Sequence, residues 1–148
     1  MNNYVDFLKD MIRIEGNEKE GEYRGYKYII LRMNRYIPNR INLNGYVALP
    51  ENHLFKNEYS SSWCGHSGCY EHTAERVIKV HGGLTFPGNI KFSDGEHFCL
   101  GFDTAHAGDR RFLADLWGGK YRDMEYVENE CKRMIDQLIL IQVHQEVQ

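Results

Sequence analysis

The chain has 148 residues, about the length of one domain, with 42% hydrophobic and 26% charged residues, which is ordinary for a globular protein. We therefore expect a single domain spanning residues 1–148. The formal net charge of −3 implies no general attraction to nucleic acid polymers. No apolar run approaches the ~20 residues that span a bilayer, so no membrane partner is expected.

Cysteine usage and the N-terminus bear on the compartment. The first residues do not open a signal peptide, so a cytoplasmic location is expected. In that compartment cysteines are thiols or metal ligands before they are disulfides. Cys99, inside an apolar run, and Cys131, on a helical apolar face, are expected as buried structural thiols.

The N-terminal segment predicts an amphipathic helix. Residues 4–14 place Val5, Leu8 and Ile12 on one helical face. The charged, glycine-bounded segment 16–21 has no periodicity and is expected to be a linker or an exposed turn.

Two strands and a long loop follow. Residues 23–31 are rich in Tyr and Ile and predict a strand. Residues 41–49 alternate apolar with small or polar side chains and predict a second strand, paired with the first as a hairpin with a long connection. Residues 52–73 are polar and lack a period; a loop of this length is usually functional or disordered.

Residues 76–80 predict a third strand that ends at His81. Pro87-Gly88-Asn89 indicates a turn, and residues 98–102 predict a fourth strand that ends at Asp103.

The C-terminal third predicts one long helix. Residues 110–117 suggest a helical turn or two. From Asp123, apolar residues recur at steps of three and four, Asp123 can cap the helix, and Glu125 suits its dipole. The predicted fold class is α+β: a small, mostly antiparallel sheet packed by an N-terminal and a long C-terminal helix, with a long polar loop.

Four ionisable residues at the ends of two apolar runs form the main candidate catalytic site: His81, Asp103, His106 and Asp109. Imidazole can accept or give a proton near neutral pH, and a carboxylate can orient it. The Asp-x-x-His-x-x-Asp pattern is also compatible with a divalent metal. The structural alternative, in which Asp103 caps a turn and His106 satisfies a backbone carbonyl, stays open.

Glycines and arginines surround these residues. Gly82 and Gly83 permit a close approach of the backbone, or simply a tight bend. Arg110 and Arg111 present planar forks matched to phosphate oxygens, although solvated charge is the commoner role of such residues. No GxGxxG or GxxxxGK[ST] loop is present, so hydrolysis of nucleoside triphosphates is not indicated.

The long loop contains a second cluster, formed by Cys64, His66, Cys69 and His72. Thiolate and imidazole are the ligands that zinc prefers, but the spacing differs from the usual zinc motifs. A polar lid over a pocket is the favoured interpretation, ahead of a disordered loop and of a structural metal site. No neighbour other than His66 would activate a cysteine nucleophile there.

Three segments together resemble a widespread group of small phage and prophage proteins. They are residues 44–50 (NGYVALP, followed by His53), 80–86 (VHGGLTF) and 101–109 (GFDTAHAGD). That group carries G-Y-V-x-L/V-P, H-G-G-L/I-T-Y/F and G-F-D-x-A-H-x-x-D segments in this order. The resemblance covers residues 24–109, without the insert 64–72, and the terminal helix, and it implies a phage protein acting in the host cytoplasm.

By analogy with other small non-structural phage proteins, the resemblance implies an anti-defence role. The leading hypothesis is hydrolysis of a nucleotide immune signal by a cyclic dinucleotide-type phosphodiesterase. His81 and His106 would be the general base and acid, with Asp103 and Asp109 orienting them or holding a metal. Thr85 or Arg110 would contact phosphate.

Two alternatives stay open. A sponge would bind the nucleotide unchanged in a pocket lined by aromatic residues such as Tyr46 and Trp63. A direct inhibitor of a host defence enzyme would show an exposed apolar patch. The apolar terminal helix also suggests a homo-oligomer.

Overall fold

A computed structural model describes residues 3–55, 74–115 and 118–146. Along these ranges the elements are α1 (Asn3–Glu15), β1 (Glu18–Tyr23), β2 (Tyr26–Arg32), a 3-10 turn (Met33–Arg35), β3 (Leu43–Ala48), α2 (Ala74–Val77), β4 (Phe86–Phe92), β5 (Gly95–Asp103) and α3 (Met124–Glu146). The predicted α+β class, with a helix towards each end, is confirmed.

The described strands form one antiparallel sheet in the order β1-β2-β3-β5-β4. Arg24 and Gly25 join β1 to β2 with positive φ angles of 51° and 86°, which suit the tight turns that join paired strands. The predicted pairing of the strands around residues 23–31 and 41–49 is confirmed by β2 and β3, whose register places Ile30 opposite Gly45.

Helix α3 covers one face of the sheet, as its apolar periodicity predicts. Its side chains Val127, Cys131 and Met134 are completely buried in the main core. Burying an apolar side chain of Val or Met size stabilises the fold by about 1.5–3 kcal/mol. Gly45 of β3 permits this packing, because a Cβ there would lie 2.7 Å from the ring of Phe102 and 2.8 Å from Sγ of Cys131.

Two edge strands differ from the sequence-based prediction. Segment 16–21, expected as a linker, contains the start of β1, whose polar residues are largely exposed. Pro87-Gly88-Asn89, expected as a turn, lies within β4, with Pro87 opposite Leu100. Both strands are at an edge of the sheet, where polar residues and proline are tolerated because one side of the backbone needs no partner strand.

The strand predicted at 76–80 is also wrong. Its first residues belong to the short helix α2, and its last are held by side chains of α3. The backbone N–H of Lys79 donates to Oε1 of Gln137, and Nε2 of Gln137 donates to the carbonyl of Lys79. This side-chain amide replaces the hydrogen bonds that a neighbouring strand would have made.

Residues 110–115 do not form the predicted helical turns. The carbonyl of Arg111 accepts a hydrogen bond from the N–H of Ile41, and Phe112 forms an isolated bridge with Arg40. These contacts draw residues 111–112 alongside residues 40–41, and the chain then forms a single turn in which the N–H of Asp115 donates to the carbonyl of Phe112.

Arg32 connects the C-terminal end of helix α1 to the sheet. It is 1% exposed, and its guanidinium donates to the carbonyls of Ile41 and Gly16 and to the hydroxyl of Tyr121. It also lies 4.0 Å from the carboxylate of Glu15, the last residue of α1. A buried charge is tolerated only when such partners replace its hydration.

Replacing Arg32 with Met should lower the free energy of unfolding by at least about 3 kcal/mol, because it leaves the carbonyls of Ile41 and Gly16 without this donor and removes the cation beside Glu15. Urea denaturation followed by circular dichroism measures this change. Arg35→Met is the matched control, since Arg35 pairs with Glu18 on the surface and should contribute less than about 1 kcal/mol. Equal losses in the two variants would contradict the assigned role of Arg32.

Candidate functional site

Three segments meet at the candidate site: the turn after α2, the loop after β5 and the start of α3. His81 lies in the turn, where the N–H of Gly83 donates to the carbonyl of Val80. The backbone N–H of His81 donates to Oε1 of Glu130, 2.7 Å away on α3. The prediction that His81 ends a strand is therefore wrong, whereas the prediction that Asp103 ends one is confirmed by β5.

His81 and Asp109 form the inner pair of the site. Nε2 of His81 lies 2.7 Å from Oδ2 of Asp109, and the carboxylate is only 1% exposed. The other carboxylate oxygen, Oδ1, accepts a hydrogen bond of 2.9 Å from Nε of Arg122. Oδ2 also accepts the backbone N–H of His106.

These donors set the charge of Asp109. Burial alone would raise the pKa of its carboxyl group, but the hydrogen bonds from His81, Arg122 and the His106 amide outweigh burial and lower the pKa below its usual value. An ionised Asp109 requires a proton on Nε2 of His81, because a carboxylate can only accept.

Tyr126 completes a chain of hydrogen bonds on the other side of His81. Its hydroxyl lies 2.7 Å from Nδ1, so in the neutral imidazole the hydroxyl donates to Nδ1 while Nε2–H donates to Asp109. Burial, followed by the nearby charge of Glu130, raises the pKa of Tyr126 and keeps its proton in place. Both nitrogens of His81 are thus engaged by protein groups.

His106 and Asp103 form a second, more open pair. Nε2 of His106 lies 3.0 Å from Oδ1 of Asp103, and the two side chains are 34% and 26% exposed. This contact is an ion-pair distance without hydrogen-bond geometry, and the buried Nε2 has no other partner among the described residues. Asp103 accepts from Thr85 Oγ1 at 3.1 Å and from the N–H of Ala105.

The two imidazoles are neighbours, with ring centroids 6.0 Å apart. Gly82 makes this approach possible, because a Cβ at that position would lie 2.2 Å from the ring of His106. The expectation of a close approach at the glycine pair is therefore confirmed for Gly82. Gly83 has a positive φ of 84°, which its bend requires, and open space beside its Cα among the described residues.

A hollow of about 370 Å³ opens beside the second pair, within the volume range of small-molecule sites. We call it the His106 hollow; it is lined by His106, Asp109, Arg111 and Asp115 together with the small residues Ala107, Gly108, Gly118 and Gly119. In the described residues, no hydrogen bond or ion pair engages the side chain of Arg111. Its guanidinium is available for an anion.

The other predicted ligand contacts lie elsewhere. Arg110 is 6% exposed and donates to the carbonyls of Phe112 and Leu113, so its guanidinium is committed to the protein. Tyr46 lies in a separate core cluster, with its ring edge-on to Phe86. Trp63 and the cluster Cys64, His66, Cys69 and His72 fall outside the described residues.

The possible metal site does not gather three ligands. Within residues 3–55, 74–115 and 118–146, no group of three His, Cys, Asp or Glu side chains is placed to hold a metal ion. Asp103 pairs with His106, while Asp109 turns towards His81 and the guanidinium of Arg122, so the carboxylates of the Asp-x-x-His-x-x-Asp pattern serve different partners.

Sequence reasoning missed Tyr126, Arg122 and Glu130. All three lie at or near the start of α3, where helical periodicity only indicates packing. The sequence contains one signal for them, because polar side chains lie before and between the first apolar positions of that helix. Their partners, however, are between 13 and 49 residues away along the chain.

Comparison with known proteins identifies no relative: no family model, no curated protein and no solved structure matches the chain. The resemblance to phage proteins therefore stays a prediction. None of the described helices is long and apolar enough to cross a membrane.

Gly82→Ala should displace the ring of His106, whereas Gly83→Ala should not. Both variants place a side chain at a positive φ, so both introduce the same kind of backbone strain. The steric overlap makes us expect Gly82→Ala to be more destabilising by at least about 1 kcal/mol. Imidazole resonances in NMR spectra should shift for His106 in this variant alone; unchanged resonances would contradict the close approach.

Asp109→Asn should reduce the dependence of the free energy of unfolding on pH at acidic pH. The pKa of Asp109 is lower in the folded protein, so the unfolded chain binds more protons and stability falls as pH drops below about 4. Urea denaturation between pH 3 and 6 measures this slope, which the variant should reduce. Asp10→Asn is the control, because Asp10 pairs with Arg13 in a largely exposed position and its replacement should leave the slope unchanged.

Proposed function

We propose that the protein is a hydrolase that cleaves a phosphate ester in a nucleotide signal by two-histidine acid–base catalysis. One observation carries the proposal: two imidazoles, each paired with its own carboxylate through Nε2, lie with centroids 6.0 Å apart. Paired proton acceptors and donors at this spacing suit a reaction that removes a proton on one side and delivers one on the other.

His106 is the group that faces the substrate. It lines the His106 hollow, and within the described residues no hydrogen bond engages its Nδ1. The neutral imidazole accepts a proton from a water molecule whose oxygen attacks phosphorus. Arg111, on the wall of the same hollow, supports the negative charge that develops on the phosphoryl oxygens.

His81 supplies the second proton. Neither His81 nor Tyr126 lines the hollow, so in this proposal the leaving group extends from the hollow to the hydroxyl of Tyr126, which covers Nδ1. The leaving oxygen takes the phenolic proton as its bond to phosphorus breaks, and the phenol takes the Nδ1 proton of the His81 imidazolium. Proton exchange with water then restores both imidazoles. Asp109 stabilises the imidazolium in this scheme, which is the role of a buried carboxylate behind a catalytic histidine.

The biological setting of the proposal comes from the resemblance to phage proteins. A phage protein acting in the host cytoplasm would meet the nucleotide signals of host immunity, and cleaving them would end the response. This assignment rests on analogy, so the chemistry is tested separately from the setting.

A sponge is the second candidate, and one observation favours it. Both ring nitrogens of His81 are hydrogen-bonded, one to Tyr126 and the other to Asp109. This arrangement suits a rigid wall of a binding pocket as well as it suits a proton donor. A sponge needs Arg111 and the hollow but no proton transfer. Heat denaturation of a complex releases the ligand intact from a sponge and as products from a hydrolase.

His106→Asn should lower kcat at least about 100-fold, because general acid–base groups contribute factors of 10² to 10⁴. His97→Asn is a matched control: His97 pairs with Asp94 at 2.9 Å, with the same spacing along the chain and a similar exposure of 32%. Purified protein is incubated with cyclic di-AMP, cyclic di-GMP and linear dinucleotides, with and without divalent cations. Chromatography then follows the products.

Loss of activity in His106→Asn with full activity in His97→Asn would support the proposal. Equal activity in both variants would refute the role of His106. Wild-type protein that leaves every one of these compounds intact over hours would refute the hydrolase and leave the sponge as the working candidate.

A further inference from the structure

A second and larger cavity lies next to the His106 hollow. It has a volume of about 760 Å³ and is formed by α1, the residues after β2 and segment 111–115. We call it the basic groove; its cationic residues are Lys9, Arg13, Arg32, Arg40 and Arg111. Apart from Arg111, the proposed acid–base chemistry uses none of these cationic residues.

The groove is basic in an acidic protein. Among the described residues that line it, five side chains are cationic and one, Asp115, is a carboxylate, whereas the whole chain has a net charge of −3. Like charges gathered in one concave surface repel one another, and such an arrangement favours a negatively charged occupant.

The cations divide into structural and available ones. Arg32 is buried and engaged with backbone carbonyls, so it fixes the floor of the groove. Arg13 forms only an exposed pair with Asp10 at 3.7 Å. Among the described residues, no ion pair or hydrogen bond engages the side chains of Lys9 and Arg111.

The groove also offers a flat surface. The guanidinium of Arg40 lies over the ring of Phe112, 5.5 Å from its centroid, and Nε of Arg40 donates to Oδ1 of Asn42. Ile12, Ile41 and Leu113 add an apolar wall. Aromatic rings and stacked guanidinium groups bind the faces of nucleobases, and the adjacent cations bind phosphate.

The groove and the hollow share two residues, Arg111 and Asp115. A ligand that lies in the groove with its phosphate on Arg111 therefore presents that phosphate at the rim of the hollow, beside His106. We propose that the basic groove binds the nucleoside part of a nucleotide, with its base against Arg40 and Phe112 and its phosphate on Arg111. The inference rests on the proposed function for its ligand class, but it makes a separate statement about binding.

Isothermal titration calorimetry tests the groove with AMP, cyclic di-AMP and inorganic phosphate at 0.1 M salt, where the charges are partly screened. Wild-type protein should bind AMP at least tenfold more tightly than inorganic phosphate, because the base contributes only in AMP. Arg111→Gln should weaken AMP and phosphate by similar factors of about tenfold. Arg40→Gln and Phe112→Leu should weaken AMP by at least fivefold and leave phosphate unchanged.

Arg24→Gln is the matched control, since it removes one arginine charge from an exposed pair with Asp136, outside the groove. Thermal unfolding of every variant identifies any loss of fold. If Phe112→Leu does not fold, Arg40→Gln still tests the base site, because the side chain of Arg40 is partly exposed and its replacement should leave the fold intact. Phosphate that binds as tightly as AMP would overturn the base site. AMP affinities that are the same in Arg40→Gln, Arg111→Gln and Arg24→Gln would overturn the groove altogether.

The outcomes separate this inference from the proposed hydrolase. Tight binding of AMP without any cleavage would retain the groove and refute the hydrolase. Cleavage of cyclic di-AMP that is unaffected by Arg40→Gln and Phe112→Leu would retain the hydrolase and refute the groove.

Discussion

The carboxylate of Asp109 is the group on which the geometry of the site depends. It is buried, and an ionised carboxylate can remain so only when donors replace its lost hydration. The three donors come from different places: His81 from the turn after α2, Arg122 from the residues before α3, and His106 from the same loop as Asp109 itself. A single charge therefore holds three chain segments in one arrangement.

Helix α3 gives this arrangement its rigidity. Its apolar side is fixed in the core, while Tyr126, Glu130 and Gln137 turn towards the segment that carries His81. A site supported by a packed helix is held more tightly than one built on loops alone. The same side chains explain why the segment before His81 needs no partner strand: its backbone groups are satisfied by α3.

The sequence predicted the elements whose patterns reflect burial, and missed those whose patterns do not. The long helix, the central strands and the burial of Cys131 follow from apolar periodicity. Edge strand β1 is polar and β4 contains Pro87, so neither has the signature of a strand. In the site, His and Asp residues at the ends of apolar runs indicated which side chains to examine. The pairing of His81 with Asp109 depends on a tertiary contact between residues 28 positions apart, which the sequence does not indicate.

The two histidine–carboxylate pairs have different surroundings. His81 is enclosed, with both nitrogens and its backbone N–H held by the protein. His106 lies at a surface hollow, and Arg111 on the same wall connects that hollow to the basic groove. Different environments of two similar groups favour different roles, and in the proposed hydrolase His106 faces the substrate while His81 supplies the second proton through Tyr126. The proposed binding in the groove and the proposed chemistry at the hollow share Arg111 and Asp115, so both proposals depend on the same guanidinium group.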